Sequence, residues 1–234
     1  MRILGIETAT QTGGIAIIED DRVLVEYRLG PRATGDRAGE RILVLLERAL
    51  SDQGLTLDVL DAIAVSIGPG SYTGLRIGLG IVKGLVFGSS LPVVPVSTLA
   101  AIAAGVTCGD ETVCPVLDAK KGQLYAARFR RPGGGRLLRL SPDTALEPAA
   151  LVQALDGPTV FVGAGLERYG ALFAERIGPA ARFLEPAHWD PRPALVAELG
   201  RRALAAGESI AAGALQPAYP RASESEWNVN RTPA

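Results

Sequence analysis

Two acids occupy matching places in the chain. Glu7 closes the apolar run Arg2-Ile3-Leu4-Gly5-Ile6 just before a Thr/Gly turn, and Asp118 closes Val113 to Leu117 before Lys120-Lys121-Gly122. Facing hairpins of this kind grip a nucleotide's phosphates between two lobes, while carboxylates at the strand ends order a metal and water. An acid at a strand end also arises with no chemistry attached, and spacing alone leaves both readings open. Lys120 and Lys121 crowd the second turn, where a phosphate cradle keeps small residues, although a lysine also neutralises an anion.

The strongest local signal is Gly68-Pro69-Gly70-Ser71-Tyr72-Thr73-Gly74-Leu75-Arg76-Ile77-Gly78-Leu79-Gly80. It is not a Walker A loop, because no Gly-Lys-Ser/Thr follows at the required interval. Small residues opening a helix can hold an anion on free backbone N–H groups. A tight turn with a Ser or Thr N-cap explains the same residues. A peptidase built on Ser71 would need a base, and His188, the single histidine, lies in an unrelated Pro-flanked segment. Neither a histidine-rich zinc site nor a helical His pair can be assembled from one histidine.

These residues must be positioned by helices with unusual faces. Gly74, Gly78, Gly80, Gly84 and Gly88 fall on one side at helical spacing. Each mid-helix glycine costs roughly 0.8–1 kcal/mol against alanine, so something is expected to lie close to that backbone. A neighbouring helix, of this chain or of another, is the natural candidate. On the preceding helix Ile42, Leu45, Leu46, Ala49 and Leu50 form a buried stripe, Leu43 widens it, and Val44 points away. A helix apolar around most of its girth is deeply buried or covered by a partner.

The wider pattern is α/β. Strands are expected at Arg2 to Glu7, Ile15 to Ile18 and Val23 to Leu29, with helices near Gly39 to Gln53 and Thr73 to Gly88 separated by strand Ala62 to Ser66. Val93 to Val96 adds a strand. The second half repeats the opening, with strands at Val113 to Leu117 and Leu124 to Phe129 around a glycine turn. Further strands are expected at Arg136 to Leu140 and Thr159 to Val162, and helices near Pro148 to Leu155 and Pro193 to Ala206. The expected organisation is an N-terminal lobe with the glycine-faced helix at residues 1–106, a second lobe at 107–222 and a polar tail at 223–234.

Composition narrows the function classes. The 234 residues carry 24 Lys and Arg against 25 Asp and Glu, with no long basic run, so strong unaided nucleic-acid binding is not expected. Arg128, Arg130 and Arg131 either approach RNA or form an exposed strand of solvated arginines. Cys108 and Cys114 lie in no metal or redox spacing and read as ordinary thiols. The start carries no secretory pattern, and the longest uncharged stretch, Ser89 to Cys108, holds Pro92 and Pro95 and suits a strand, turn and short helix better than a membrane span. The expected location is the cytoplasm.

With these residues in view, the chain resembles the bacterial TsaB (YeaZ) family, accessory subunits of tRNA threonylcarbamoyladenosine synthesis. The likeness is carried by Ile3 to Thr10, Gly68 to Gly78, Pro95-Val96-Ser97-Thr98-Leu99, Asp118 to Tyr125 and Pro217-Ala218-Tyr219-Pro220-Arg221. It implies a two-lobed, actin-like fold of the sugar-kinase and chaperone-ATPase type with a degenerate nucleotide site. Glu7, Thr8, Gly70, Ser71 and Asp118 would be the vestige of an anion or metal site, with no catalytic residue in the chain. It further implies a non-catalytic scaffold that binds a TsaD-type catalytic paralogue through the first two helices, which places Glu40, Arg41, Leu43, Val44, Arg76 and Gly78 at the interface. TsaD transfers the threonylcarbamoyl group to the adenosine beside the anticodon. A TsaE-type ATPase joins the larger complex, tRNA is engaged indirectly, and no nucleotide is held tightly by this chain; whether ATP or ADP with Mg²⁺ sits at the boundary with the partner is left open. A homodimer through the same helices in the partner's absence is left open. Three features depart from the family: Glu7 stands where Asp is common, Ala38 where His is common, and the catalytic paralogue's metal-binding histidines are missing. The competing reading is a free-standing ATPase or phosphotransferase using Glu7 and Asp118.

Overall fold

The computed structural model describes residues 1–30 and 38–220. The expected tail at 223–234, Arg221 and the side chain at Ala38 lie outside the described residues. The chain opens with an antiparallel meander of β1 (Arg2–Glu7), β2 (Gly13–Glu19) and β3 (Arg22–Leu29). After helix α1 (Ala38–Gln53) come strand β4 (Ala62–Gly68), helix α2 (Tyr72–Leu85) and strand β5 (Val93–Ser97). β4 lies parallel to β1 and β5 parallel to β4, giving the order β3-β2-β1-β4-β5. The inner strands β1 and β4 are covered on both faces and read as nearly unbroken apolar runs. β3, at the edge, mixes Arg, Glu and Tyr with its valines.

Helix α3 (Thr98–Ala104) leads to a second copy of this plan. Strands β6 (Thr112–Lys120), β7 (Gln123–Ala126), β8 (Phe129–Arg130), β9 (Leu138–Arg139) and β10 (Thr144–Leu146) precede helix α4 (Pro148–Gln153). Strand β11 (Thr159–Val162), helix α5 (Leu166–Ile177) and strand β12 (Ala181–Phe183) follow. The path β10-β7-β6-β11-β12 repeats the first sheet strand for strand, antiparallel through the meander and parallel beyond it, with β8 and β9 as an added flap. Two similar α/β lobes of the actin-like type result, as the repeated strand, acid and glycine turn suggested.

The last helix, α6 (Pro193–Ala205), corrects the expected boundary of the second lobe. Although it falls within 107–222, it packs on β1, β4 and β2 of the first sheet. Val196 and Ala197 join Ile3, Ala64 and Val94 in one core cluster. The approach is close enough to require glycine on both sides: a Cβ at Gly5 would strike the Pro193 carbonyl, and one at Gly200 would strike Ala64. Glu26 of β3 fixes the start of α6, its carboxylate accepting from the Ala194 N–H at 3.0 Å and from Arg192 Nε at 3.2 Å.

α2 differs from expectation at its end. It stops at Leu85, so Gly88 lies beyond the helix with φ +76° and supplies a turn, not part of a helical face. Among the described residues no helix is long and apolar enough to cross a membrane. Both cysteines are free, and burial pushes the Cys114 thiol up to about 12, so it is inert packing.

Candidate functional site

The residues singled out from the sequence separate into three places. The first is the C-terminal end of β1. Glu7 is 1% exposed there, and its carboxylate accepts from the Ser66 hydroxyl and, at 2.5 Å, from the Ala9 N–H. Desolvation raises its pKa to about 7 against the lowering effect of these hydrogen bonds. Thr8 is buried beside it and presses on α2, where a Cβ at Gly78 would fall far inside the 3.0 Å that real contacts never breach. The glycine loop closes the other side. A Cβ at Gly70 would strike the Ala9 carbonyl, which also accepts from the Ser71 N–H at 2.7 Å. The Ser71 hydroxyl accepts from the Gly74 N–H at 3.1 Å and is therefore the N-cap of α2, the simpler of the two readings of that loop.

Asp118 stands apart from this cluster, in the second lobe. It accepts from the Lys120 N–H at 2.9 Å and from Lys120 Nζ at 3.0 Å, and Arg168 of α5 lies 3.6 Å away. Desolvation pushes its carboxyl up, yet the hydrogen bonds from Lys120 and the charges of Lys120 and Arg168 outweigh this and hold it below the usual range. Ser66 and Arg168, the partners that decide the state of the two acids, carried no sequence signal, since one is a small residue within an apolar strand and the other lies on an unexpected helix.

The arrangement does not fit a magnesium site. Glu7 is enclosed, meets hydrogen-bond donors and is disfavoured as an anion, whereas a hard cation needs an accessible ionised carboxylate with several free oxygen ligands. Among the described residues no group of three or more His, Cys, Asp or Glu is placed to hold a metal.

The third place is the outer face of α1 and α2. Ile42, Leu46 and Ala49 are buried under α1 as the stripe requires, while Leu43 is 46% and Val44 57% exposed. Glu40, Arg41 and Val44 line one hollow of about 350 Å³ with Leu29 and Leu45. On α2, Arg76 lies over the ring of Tyr72 at 4.1 Å, and Tyr72 in turn stacks on Tyr219 at 5.5 Å. The Ala218 N–H donates to the Ile67 carbonyl at 2.7 Å, so the segment before Arg221 returns to the glycine loop. Phe87, just past α2, is 90% exposed. Tyr72 and Phe87 are exposed at the two ends of α2 although neither stood out in the sequence; for Phe87, an aromatic beside a turn glycine was the available signal.

The expectation of one glycine face is corrected in detail. Gly78, assigned above to an interface with another chain, is buried against Thr8 of its own. A Cβ at Gly80 or Gly84 would meet no atom within 4 Å among the described residues, so no helix of the described chain covers that part of the face. The arginines proposed for RNA are engaged elsewhere and are not an exposed strand. Arg128 donates to the Ala154 carbonyl, Arg130 to Thr112 at 3.3 Å and Arg131 to the Ala104 carbonyl at 3.0 Å.

Comparison with known proteins adds four findings. The family model described as TsaD, tRNA N6-adenosine threonylcarbamoyltransferase, matches residues 28–219. The tRNA threonylcarbamoyladenosine biosynthesis protein TsaB of Escherichia coli K12 is 33% identical over 94% of this chain and 95% of its own. The protein of that name from Bacillus subtilis 168 is 31% identical over 97% and 96%. Among solved structures, YeaZ from Pseudomonas aeruginosa superposes with a TM-score of 0.78 at 25% identity, covering 93% of this chain and 99% of that one.

Proposed function

The chain belongs to the TsaB family of tRNA threonylcarbamoyladenosine biosynthesis proteins, and on that premise we propose that it acts as a non-catalytic subunit which docks a TsaD-type catalytic paralogue on the α1–α2 face. The observation that carries the proposal is the exposure of Leu43, Val44 and Phe87 around a helix whose Gly80 and Gly84 are open. A partner helix could approach such a backbone closely and gain dispersion contacts and buried apolar area in one step. The match of the chain to the TsaD model supports pairing between like-folded subunits. Nucleotide and Mg²⁺ chemistry, and any role of a TsaE-type ATPase, belong in this proposal to the partner side or its boundary, since Glu7 is enclosed. tRNA is then reached through the partner.

Sedimentation velocity of this chain with the TsaD-type paralogue from the same organism tests the reading. A discrete heteromer formed by the wild type and lost in Val44→Glu is the expected result. Absence of a heteromer, or an unaffected variant, overturns the docking face. The free-standing ATPase reading makes the opposite forecast, ATP hydrolysis by the isolated chain that Glu7→Gln abolishes.

A further inference from the structure

A cleft of about 380 Å³ lies where the two lobes meet, away from every residue discussed above as a site. Its walls come from parts of the chain that are distant in sequence: β5 and the start of α3, Phe129 of β8, residues 136–139 leading into and through β9, and the second half of α6 with the residues just beyond it. Val96, Leu137 and Leu199 give it apolar lining. Four charged residues stand around it, Arg136, Arg139, Arg202 and Glu208. The volume sits toward the lower end of small-molecule sites, about 300–1,000 Å³, and suits one compact ligand.

The charged groups are not equivalent. Arg139 lies over the Phe129 ring at 4.7 Å and donates to Asp143 at 2.6 Å and to the Ser141 carbonyl at 3.3 Å, so its planar guanidinium is held in place. Arg202 is paired with Glu198 on its own helix. A guanidinium has five N–H donors, and one carboxylate leaves several of them for another anion. Arg136 makes no ion pair among the described residues. Glu208 offers acceptors only, which suits hydroxyl groups rather than a second anion.

We propose that this cleft binds a phosphate monoester with a flat apolar body, of which a nucleoside monophosphate is the type. Arg136 and Arg202 take the phosphate, with the charge and oxygen count to engage both. The heterocycle lies on the apolar lining against Arg139, and Glu208 accepts from the sugar hydroxyls. Because Arg136 and Arg139 come from the second lobe and Val96 and Arg202 from elements of the first, occupancy ties the lobes together. The site is independent of the α1–α2 face, and failure of partner docking leaves it untouched.

Isothermal titration of the full chain with 5′-AMP, adenosine and inorganic phosphate separately is the test. Saturable AMP binding is expected, with adenosine and phosphate each at least about ten-fold weaker, and with Arg136→Glu and Arg202→Gln each weakening AMP at least about ten-fold at an unchanged melting midpoint. Arg136→Gln serves as the milder variant should charge reversal disturb folding. No saturable AMP binding, phosphate bound as tightly as AMP, or binding indifferent to the Arg136 variants would each overturn the proposal.

Discussion

Thr8 occupies the space that a side chain at position 78 would need: its hydroxyl oxygen, with its β-carbon and methyl just behind, lies so close to Gly78 that no Cβ can be added without displacement. This contact joins the end of β1 to the middle of α2. Gly78→Ala should therefore destabilise the chain, because overpacking of about 1–3 kcal/mol exceeds the roughly 1 kcal/mol gained in helix propensity. Removing the obstructing hydroxyl in a Thr8→Ala, Gly78→Ala double variant should recover part of the loss. Urea unfolding of the four proteins in the cycle decides it, and strictly additive effects would deny the contact its role.

Glu7 makes stability depend on pH in the direction opposite to a paired carboxylate. Its folded pKa of about 7 lies above the ordinary 4.5, so at intermediate pH the folded state holds a proton that the unfolded state has released. The stabilisation is complete below about 4.5, declines as pH rises, and is lost above 7, an overall change of about 3 kcal/mol for such a shift. Denaturant midpoints between pH 4.5 and 8 should fall in the wild type. Glu7→Gln removes the titration while keeping one oxygen acceptor for the Ala9 N–H and turning the Ser66 contact round, its amide N–H donating to the Ser66 hydroxyl, and its curve should be flatter.

Much of this arrangement is legible in the sequence where periodicity and burial agree. The Ile42, Leu46, Ala49 stripe and exposed Val44 follow from helical spacing alone, and β11 matches its expected bounds because Thr159 to Val162 is a short β-branched and aromatic run between turn residues. α5 was not legible. Its buried Leu166, Tyr169 and Phe173 are separated by charged residues and Gly170, and one polar tyrosine supplies a third of the stripe. The edge strands β10 and β12 are three residues each, too short for alternation to register. Glycine spacing on α2 predicted close approach correctly but could not say by what, since a strand end and a partner helix impose the same demand. Only the position of Thr8 separates Gly78 from Gly80 and Gly84.

The return of α6 to the first sheet depends on Glu26, whose side chain meets both the Ala194 N–H and Arg192. The two contacts differ in weight. Arg192 is about half exposed, 49%, and a solvated ion pair contributes about 0–1 kcal/mol. The N–H bond caps the helix start, worth typically about 1 kcal/mol, and places the negative charge at the favourable end of the dipole. Glu26→Ala should accordingly lose about 1–2 kcal/mol in thermal or urea unfolding, and Arg192→Ala less. The reverse order would show that the ion pair, not the cap, secures α6.

Gly80 and Gly84 offer a way to separate folding from assembly. Gly80 lies inside α2 and Gly84 in its last turn; glycine costs roughly 0.8–1 kcal/mol against alanine in a helix interior and less toward the end, and a Cβ at either meets no described atom within 4 Å. If these glycines served only the isolated fold, alanine would be the better residue at both positions. Gly84→Ala should thus raise the unfolding free energy of the isolated chain, by less than the roughly 1 kcal/mol of an interior position, and Gly84→Leu should leave the chain folded with comparable stability. Their effects on the complex should diverge from this. A methyl group already holds two backbones apart, and an isobutyl group forbids the close approach, so affinity for the TsaD-type partner should weaken with Gly84→Ala and be lost with Gly84→Leu. Parallel urea unfolding of the chain and titration against the partner give both numbers from the same preparations. Stability and affinity rising together would mean that the open glycines mark no docking face; stability rising as affinity falls identifies them as residues kept for the partner at the expense of the helix that carries them.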